Sequence, residues 1–266
     1  MLNILLLLPL LAAVRAATVP AVEPLLHFHS STPSTAQPQG RNITINGVLT
    51  YVSLPKHKLF DPSTALLLLT DIFGLPSADN LLLADQWAAA GFQTYVPDYL
   101  NGDAIVPSDD LAAWFANHTE AQTTPPLLAV LHSLKSHGIK KIAVAGYCFG
   151  GLYATRLAQN NTITVATVSH PSLLALPDDF DLLKSQSRVP LEINNAELDE
   201  GFTPEVGKET DSLMGHGQYR PGYKRIQFDA VGHGFAVRAN TSDPVQVAAK
   251  QEAFDVSLAW IKAHLK

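Results

Sequence analysis

The stretch KKIAVAGYCFGGLYATRLA, residues 140–158, decides how the rest of this chain is read. Its first part, through Ile142 and Val144, is an apolar run of strand length, and its last part, from Leu152, is free of helix breakers. Between them Gly146 and Gly150 frame Cys148, with Gly151 giving further clearance. A strand that passes straight into a helix brings two backbones together, and glycines on either side of the corner are what that approach requires. The apex residue then sits on a strained turn with its side chain above the sheet, so Cys148 is expected to be partly exposed. It is the single cysteine among 266 residues, which rules out an intramolecular disulfide and makes the position of that thiol informative.

Outward from this corner the chain alternates between strand and helix. ALLLLTD (65–71) is a continuous apolar run, as in a strand buried on both faces, and residues 77–91 are helical in period with Gly91 as a stop. FQTYVPD (92–98) reads as the next strand, and 108–117 and 122–137 as helices. Beyond the corner come strands over 162–170 and 189–197, with no helix assigned between them, then a helix over 204–214 and a strand over 223–229. A final helix over 243–265 opens on Asp243-Pro244, a cap followed by a first-turn proline. Upstream, Asn46-Gly47 within NITINGVLTYVSLP predicts an edge hairpin. The alternation specifies an α/β fold, a doubly wound and mostly parallel sheet with helices on both faces, as one domain over 41–266.

The first 17 residues carry an apolar stretch, Leu2 to Val14, followed by the small residues Ala16 and Ala17, the pattern of a secretory signal cleaved after either alanine. Residues 18–40, rich in Pro, Ser and Thr, read as a flexible arm. Sequons at Asn42, Asn117, Asn160 and Asn240 agree with a secretory route and glycosylation, and nothing after the leader is long and apolar enough to span a membrane. A formal net charge of −6, with Lys56-His57-Lys58 and Lys140-Lys141 as the densest cationic runs, excludes a nucleic-acid footprint. One cysteine and no His-x-x-x-His spacing leave no metal site, and no cofactor is called for. The expected partner is a small molecule, bound by a monomer or homodimer.

A nucleophile needs a base, and the base an orienting carboxylate. The helix that starts after Cys148 aims its amides at the sulfur and favours the thiolate, and the Phe149 N–H is placed to meet an oxyanion. Downstream of the next strands lie AELDEGFTPE, which offers Glu197, Asp199 and Glu200, and DAVGHGFAVR, which offers His233 between two glycines. His27, His29, His118, His132 and His137 fall in the arm or on helices, and His170 is suited to lining a pocket. Nucleophile, acid, base is the chain order of the α/β-hydrolase architecture.

Taken together, GYCFGG, ELDEGFTPE, GHGFAVR, the LLLLTDIFGLPSADN segment and YVPDYL resemble the dienelactone hydrolase family of α/β-hydrolases over roughly residues 48 to 266. The resemblance implies a triad of Cys148, Asp199 and His233, with the Ile72 and Phe149 amides as oxyanion donors. It also puts Asp71, Tyr99 and Arg238 at the gating and substrate side, Asp71 as a carboxylate contacting the resting thiol. Two features depart from the family pattern. The segment after Tyr99 has Asn101, Gly102 and Asp103 where an arginine is expected, and the position four past His233 is Val237, with Arg238 one later. The expected activity is hydrolysis of a small ester or lactone through an acyl-enzyme. Two alternatives stay open: a biosynthetic enzyme doing lyase, isomerase or cyclisation chemistry, and a silent binding protein on the same fold.

Overall fold

The computed structural model describes residues 36–56 and 60–265. The expected leader, the arm as far as residue 35, and His27 and His29 lie outside the described residues. Eight strands form one sheet: β1 (Arg41–Ile45), β2 (Val48–Ser53), β3 (Thr64–Leu69), β4 (Gln93–Pro97), β5 (Lys141–Tyr147), β6 (Val165–Ser169), β7 (Leu191–Ala196) and β8 (Tyr223–Phe228). Their order across the sheet is β1-β2-β4-β3-β5-β6-β7-β8. The β1–β2 hairpin forms at one edge around Asn46-Gly47, and β2 runs antiparallel to β4, while every later pairing is parallel. Both turn residues have positive φ, 47° and 84°, as a two-residue hairpin turn demands.

Why the strands read as unbroken apolar runs is visible in their two faces. On β3, Ala65, Leu67 and Leu69 pack into one core and Leu66 and Leu68 into the other. On β5, Ile142 and Val144 join the first core, and Ala143, Ala145 and Tyr147 the second. The first core is covered by α3 (Glu120–Ser136), α4 (Phe149–Gln159), α5 (Asp178–Gln186) and α6 (Pro204–Met214), through residues such as Leu127, Leu152, Phe180 and Met214. The second is covered by α1 (Ala78–Ala89) and α7 (Pro244–His264), through Leu83, Trp87, Ala253 and Ile261. With α2 (Leu111–Asn117) these complete the seven helices among the described residues. The α/β-hydrolase fold thus has helices on both faces of a sheet whose period-two alternation is hidden by burial on both sides.

Helix α5 is the element the sequence reading passes over. Only Phe180 and Leu183 of it are buried, an i,i+3 pair too sparse to register as a period. Its stability at the N-terminus comes from Asp178, Asp179 and Asp181 in the first turn, which complement the helix dipole. Strand β6 is shorter than the expected 162–170, and Asp110 caps α2 through its side chain, so that helix starts at Leu111 instead of 108.

The chain builds outward in both directions from β3, so β3 and β5 meet at the topological switch point, above which ligands bind in open parallel sheets. There α4 rises against β3 at close range. A Cβ on Gly150 would lie 2.2 Å from the Leu69 carbonyl oxygen, and one on Gly146 would lie 2.5 Å from that of Gly150. Neither obstacle is a side chain that can turn away. Gly150→Ala is therefore expected to destabilise the fold by about 3 kcal/mol or more, the upper range for overpacking. Urea titration checks both variants, and Gly232→Ala, whose nearest neighbour would be 3.9 Å away, should cost little in it.

Candidate active site

Cys148 sits at the N-cap of α4 with φ 54° and ψ −116°, a region that non-glycine residues rarely enter and that costs about 1–3 kcal/mol to hold. Three backbone hydrogen bonds hold it there. The Cys148 amide donates to the Ser169 carbonyl at 3.1 Å, and the Cys148 carbonyl accepts from Gly151 at 2.9 Å and from Ser172 at 3.1 Å. The corner is therefore clamped by β6 and the loop that follows it. That loop also corrects the expected exposure: Cys148 is buried, at 6%, because the Pro171–Ser172 segment folds back over the corner. The Ser172 hydroxyl lies 3.4 Å from the thiol sulfur.

The acidic loop after β7 and the glycine-flanked loop after β8 meet beside this corner. Of the three acids on the first loop, Glu197 and Glu200 are exposed, and Glu197 accepts from the Ala230 amide. Asp199 is buried, and its Oδ2 lies 2.8 Å from His233 Nδ1. Its other oxygen accepts from the Gly201 and Phe202 amides at 2.8 and 3.3 Å. A carboxylate fixed in this way makes Nδ1 the protonated donor and leaves Nε2 for chemistry. That Nε2 is buried and has no hydrogen-bond partner.

Burial alone would raise the thiol pKa and lower that of the imidazole. Both shifts are reversed by mutual attraction. Cys148 lies below the ordinary thiol value, through the charge and hydrogen-bonding capacity of His233, the Ser172 hydroxyl and the Phe149 amide. His233 lies well above the ordinary imidazole value, through the Cys148 charge and the Asp199 hydrogen bond. Each group is thus moved toward its charged form by the other, against the tendency of burial.

The remaining positions read from sequence fall around this pair. The Phe149 amide faces the sulfur, and Ile72 follows β3 with its carbonyl accepting from Ile105 at 3.0 Å. Among the described residues the Ile72 amide makes no hydrogen bond. Tyr99 is fully buried, its hydroxyl donating to the Thr70 carbonyl at 2.6 Å and its ring stacked on Phe149. Its hydroxyl is thus committed to the β3 end. Asp71 is fully buried with both oxygens engaged: Oδ1 accepts from the Phe73 amide at 3.1 Å and from Asn80 Nδ2 at 2.9 Å, and Oδ2 pairs with Arg238. The contact expected between Asp71 and the thiol is taken instead by Ser172.

One further residue completes the surroundings. His170 is fully buried, with its ring centroid 4.9 Å from that of His233 and both ring nitrogens without partners. Burial, and then the His233 charge, push its pKa well down, so it backs the site as a neutral ring. Ser172 belongs to no motif, and Asn80 closes the LLLLTDIFGLPSADN segment with nothing local to mark it as a partner of Asp71. The sequon residues Asn42, Asn117 and Asn160 are exposed, and Asn240 is half-buried with its Oδ1 accepting from the Ser242 amide at 3.0 Å. Among the described residues no cluster of three or more His, Cys, Asp or Glu side chains is arranged to hold a metal.

Comparison with known proteins identifies the family of this chain. The model of the dienelactone hydrolase family matches residues 48–265. A hydrolase named pyvD from Aspergillus violaceofuscus is 31% identical over 86% of this chain and 91% of its own length. Dienlactone hydrolase 1 of Gibberella moniliformis is 29% identical over 85% of this chain and 88% of its own. Among solved structures, a putative dienelactone hydrolase from Klebsiella pneumoniae superposes with a TM-score of 0.69 at 16% identity, covering 84% of this chain and 98% of that one. That likeness speaks to fold alone; the match over residues 48–265 decides the family. This chain belongs to the dienelactone hydrolase family, with the α/β-hydrolase fold.

Proposed function

We propose that this hydrolase opens small carboxylic esters or lactones through an acyl-enzyme on Cys148. The observation that carries the reading is the part-buried Asp199–His233 hydrogen bond at 2.8 Å, which leaves His233 Nε2 unpartnered beside the thiol. The thiolate attacks the acyl carbon, forming a carbon–sulfur bond and moving the carbonyl π pair onto oxygen. The Ile72 and Phe149 amides receive that oxyanion. Collapse expels the alkoxide, which takes the Nε2 proton from His233. A water then gives a proton back to Nε2 and attacks the thioester carbon, and the thiolate leaves as the acid forms. The resting ion pair is restored with no proton left over.

The charge states fix the pH behaviour. The thiolate is present above the lowered Cys148 pKa and is lost as pH falls through it; the proton on His233 is present below its raised pKa and is lost as pH rises through it. Activity should therefore be bell-shaped, with iodoacetamide modifying Cys148 quickly well below the usual thiol pKa of about 8.5. Asp199→Asn removes a cause of the raised imidazole pKa, so the acid limb of alkylation should move to higher pH. Cys148→Ala should lower turnover of short aryl esters by at least ~10³-fold. Undiminished turnover in that variant would overturn the mechanism.

The leader-like residues 1–17 and the exposed sequons support a secretory destination. Protein released by a eukaryotic secretory host should begin at Ala17 or Thr18 by N-terminal sequencing and lose mass on endoglycosidase treatment. A product that starts at Met1 and is retained in the cytosol would argue against this route.

A further inference from the structure

We propose that Arg238 and Asp71 form an internal strut that positions the Ile72 oxyanion donor against the His233 loop, and that the site accordingly takes acyl groups without a charge. The inference rests on the acyl-transfer reading above. Asp71 immediately precedes Ile72, and both of its carboxylate oxygens are occupied. Oδ1 takes the Phe73 amide and Asn80 Nδ2, the latter also bound to the Gly74 carbonyl at 3.0 Å, and Oδ2 takes Arg238. The Gly74 amide donates to the Asp71 carbonyl at 3.1 Å, and Ile105 holds the Ile72 carbonyl. The peptide that carries the Ile72 N–H is thus fixed from both sides, and one of those fixings is a charge from another part of the chain.

That charge comes from the loop of the base. Arg238 N and Val237 N both donate to the Gly234 carbonyl, at 2.8 and 2.9 Å, so a tight turn begins one residue after His233. The guanidinium folds back over this turn. A Cβ on Gly234, where φ is +88°, would lie 2.7 Å from Arg238 Nη2, so glycine serves there both for its backbone angle and for the passage of the arginine. Its central carbon lies 4.5 Å above the Phe73 ring. One side chain therefore touches the residue after the base, the residue before the oxyanion donor and the residue after it. No other pair among the described contacts links these two loops by charge.

The same contacts decide what Arg238 does not do. Holding a substrate carboxylate needs a guanidinium edge free to make two parallel hydrogen bonds. Here Nη1 is committed to Asp71, Nη2 lies against Gly234, the face is capped by Phe73, and the side chain is 17% exposed. Removing the substrate's charge forfeits nothing at such a site. Removing Arg238 frees the turn on which the oxyanion donor stands and leaves Asp71 buried without a counter-charge.

The test separates the two roles by where the loss falls. Full-length wild type, Arg238→Met, Arg238→Lys and Asp71→Asn are assayed on p-nitrophenyl acetate and on the p-nitrophenyl half-ester of succinate, which adds a carboxylate to the acyl group. Iodoacetamide alkylation of Cys148 is followed in parallel. A strut predicts that Arg238→Met lowers kcat for both esters alike, by about 10- to 100-fold for a donor displaced by an ångström. KM and the alkylation rate should stay within about twofold, because the thiolate pair is untouched. Arg238→Lys, which keeps the charge, should recover part of kcat, and wild type should prefer the acetate. A rise in KM for the succinate half-ester alone, or kcat unchanged on both, would overturn the proposal. If Arg238→Met does not fold, Arg238→Lys and Asp71→Asn decide by the same split. The acyl-enzyme reading fails separately, through a Cys148→Ala protein that keeps wild-type turnover.

Discussion

The close approach of α4 to the end of β3 governs the rest of this structure. Gly150 stands where a Cβ would penetrate the Leu69 carbonyl, and only at that separation does the helix begin directly above the sheet. Cys148 is forced to a positive φ by the turn that joins the two. Backbone strain of this kind persists only where the surroundings over-determine it. Here they do so through hydrogen bonds from β6 and from the Ser172 segment. The functional site and the fold are the same constraint seen from two sides, since loosening the corner would relax both the strain and the aim of the sulfur.

Once the thiol is placed, burial sets the electrostatic problem. A buried thiolate or a buried imidazolium would each be costly alone, and each would shed its charge. Their proximity reverses both tendencies, and Asp199, held by two amides, supplies the third charge that keeps the sum favourable. His170 stays neutral for the complementary reason: it is buried and faces a cation with no carboxylate of its own. Two histidines with rings in contact are thus shifted in opposite directions, the one beside the Cys148 charge and bonded to Asp199 upward and the one without either partner downward.

Farther from the thiol, a second polar layer ties the strands that carry these loops. Glu192 on β7 is fully buried; its Oε1 accepts from Ser257 of α7 at 3.2 Å and from Thr167 of β6 at 3.4 Å, and Lys224 lies 3.9 Å from its other oxygen. Burial raises its pKa, with Lys224 the largest opposing influence. The network joins β6, β7 and α7 at a place where apolar packing alone would leave their relative register less specified. The loops of His170 and Asp199 issue from those two strands, so the registry of the site is supported from within the sheet.

The alternation, the sheet class and the corner were all legible in the chain before folding. Apolar runs, glycine spacing and a proline cap are local signals, and local signals survive in one dimension. The sequence also named Cys148 and His233, because glycines beside each mark where backbones crowd. Spacing offered three acids in the loop after β7 and the family resemblance pointed to Asp199; the physical reason lies in the tertiary structure, since burial and the reach of His233 Nδ1 are properties of two loops brought together. The same holds for Ser172 against the thiol, for His170 behind the base, and for Arg238 turned inward onto Asp71. Helix α5 escaped notice because two buried residues are enough to dock a helix but too few to show a period. What a residue is follows from the chain; what it touches across 167 positions, as Arg238 touches Asp71, follows only from the fold.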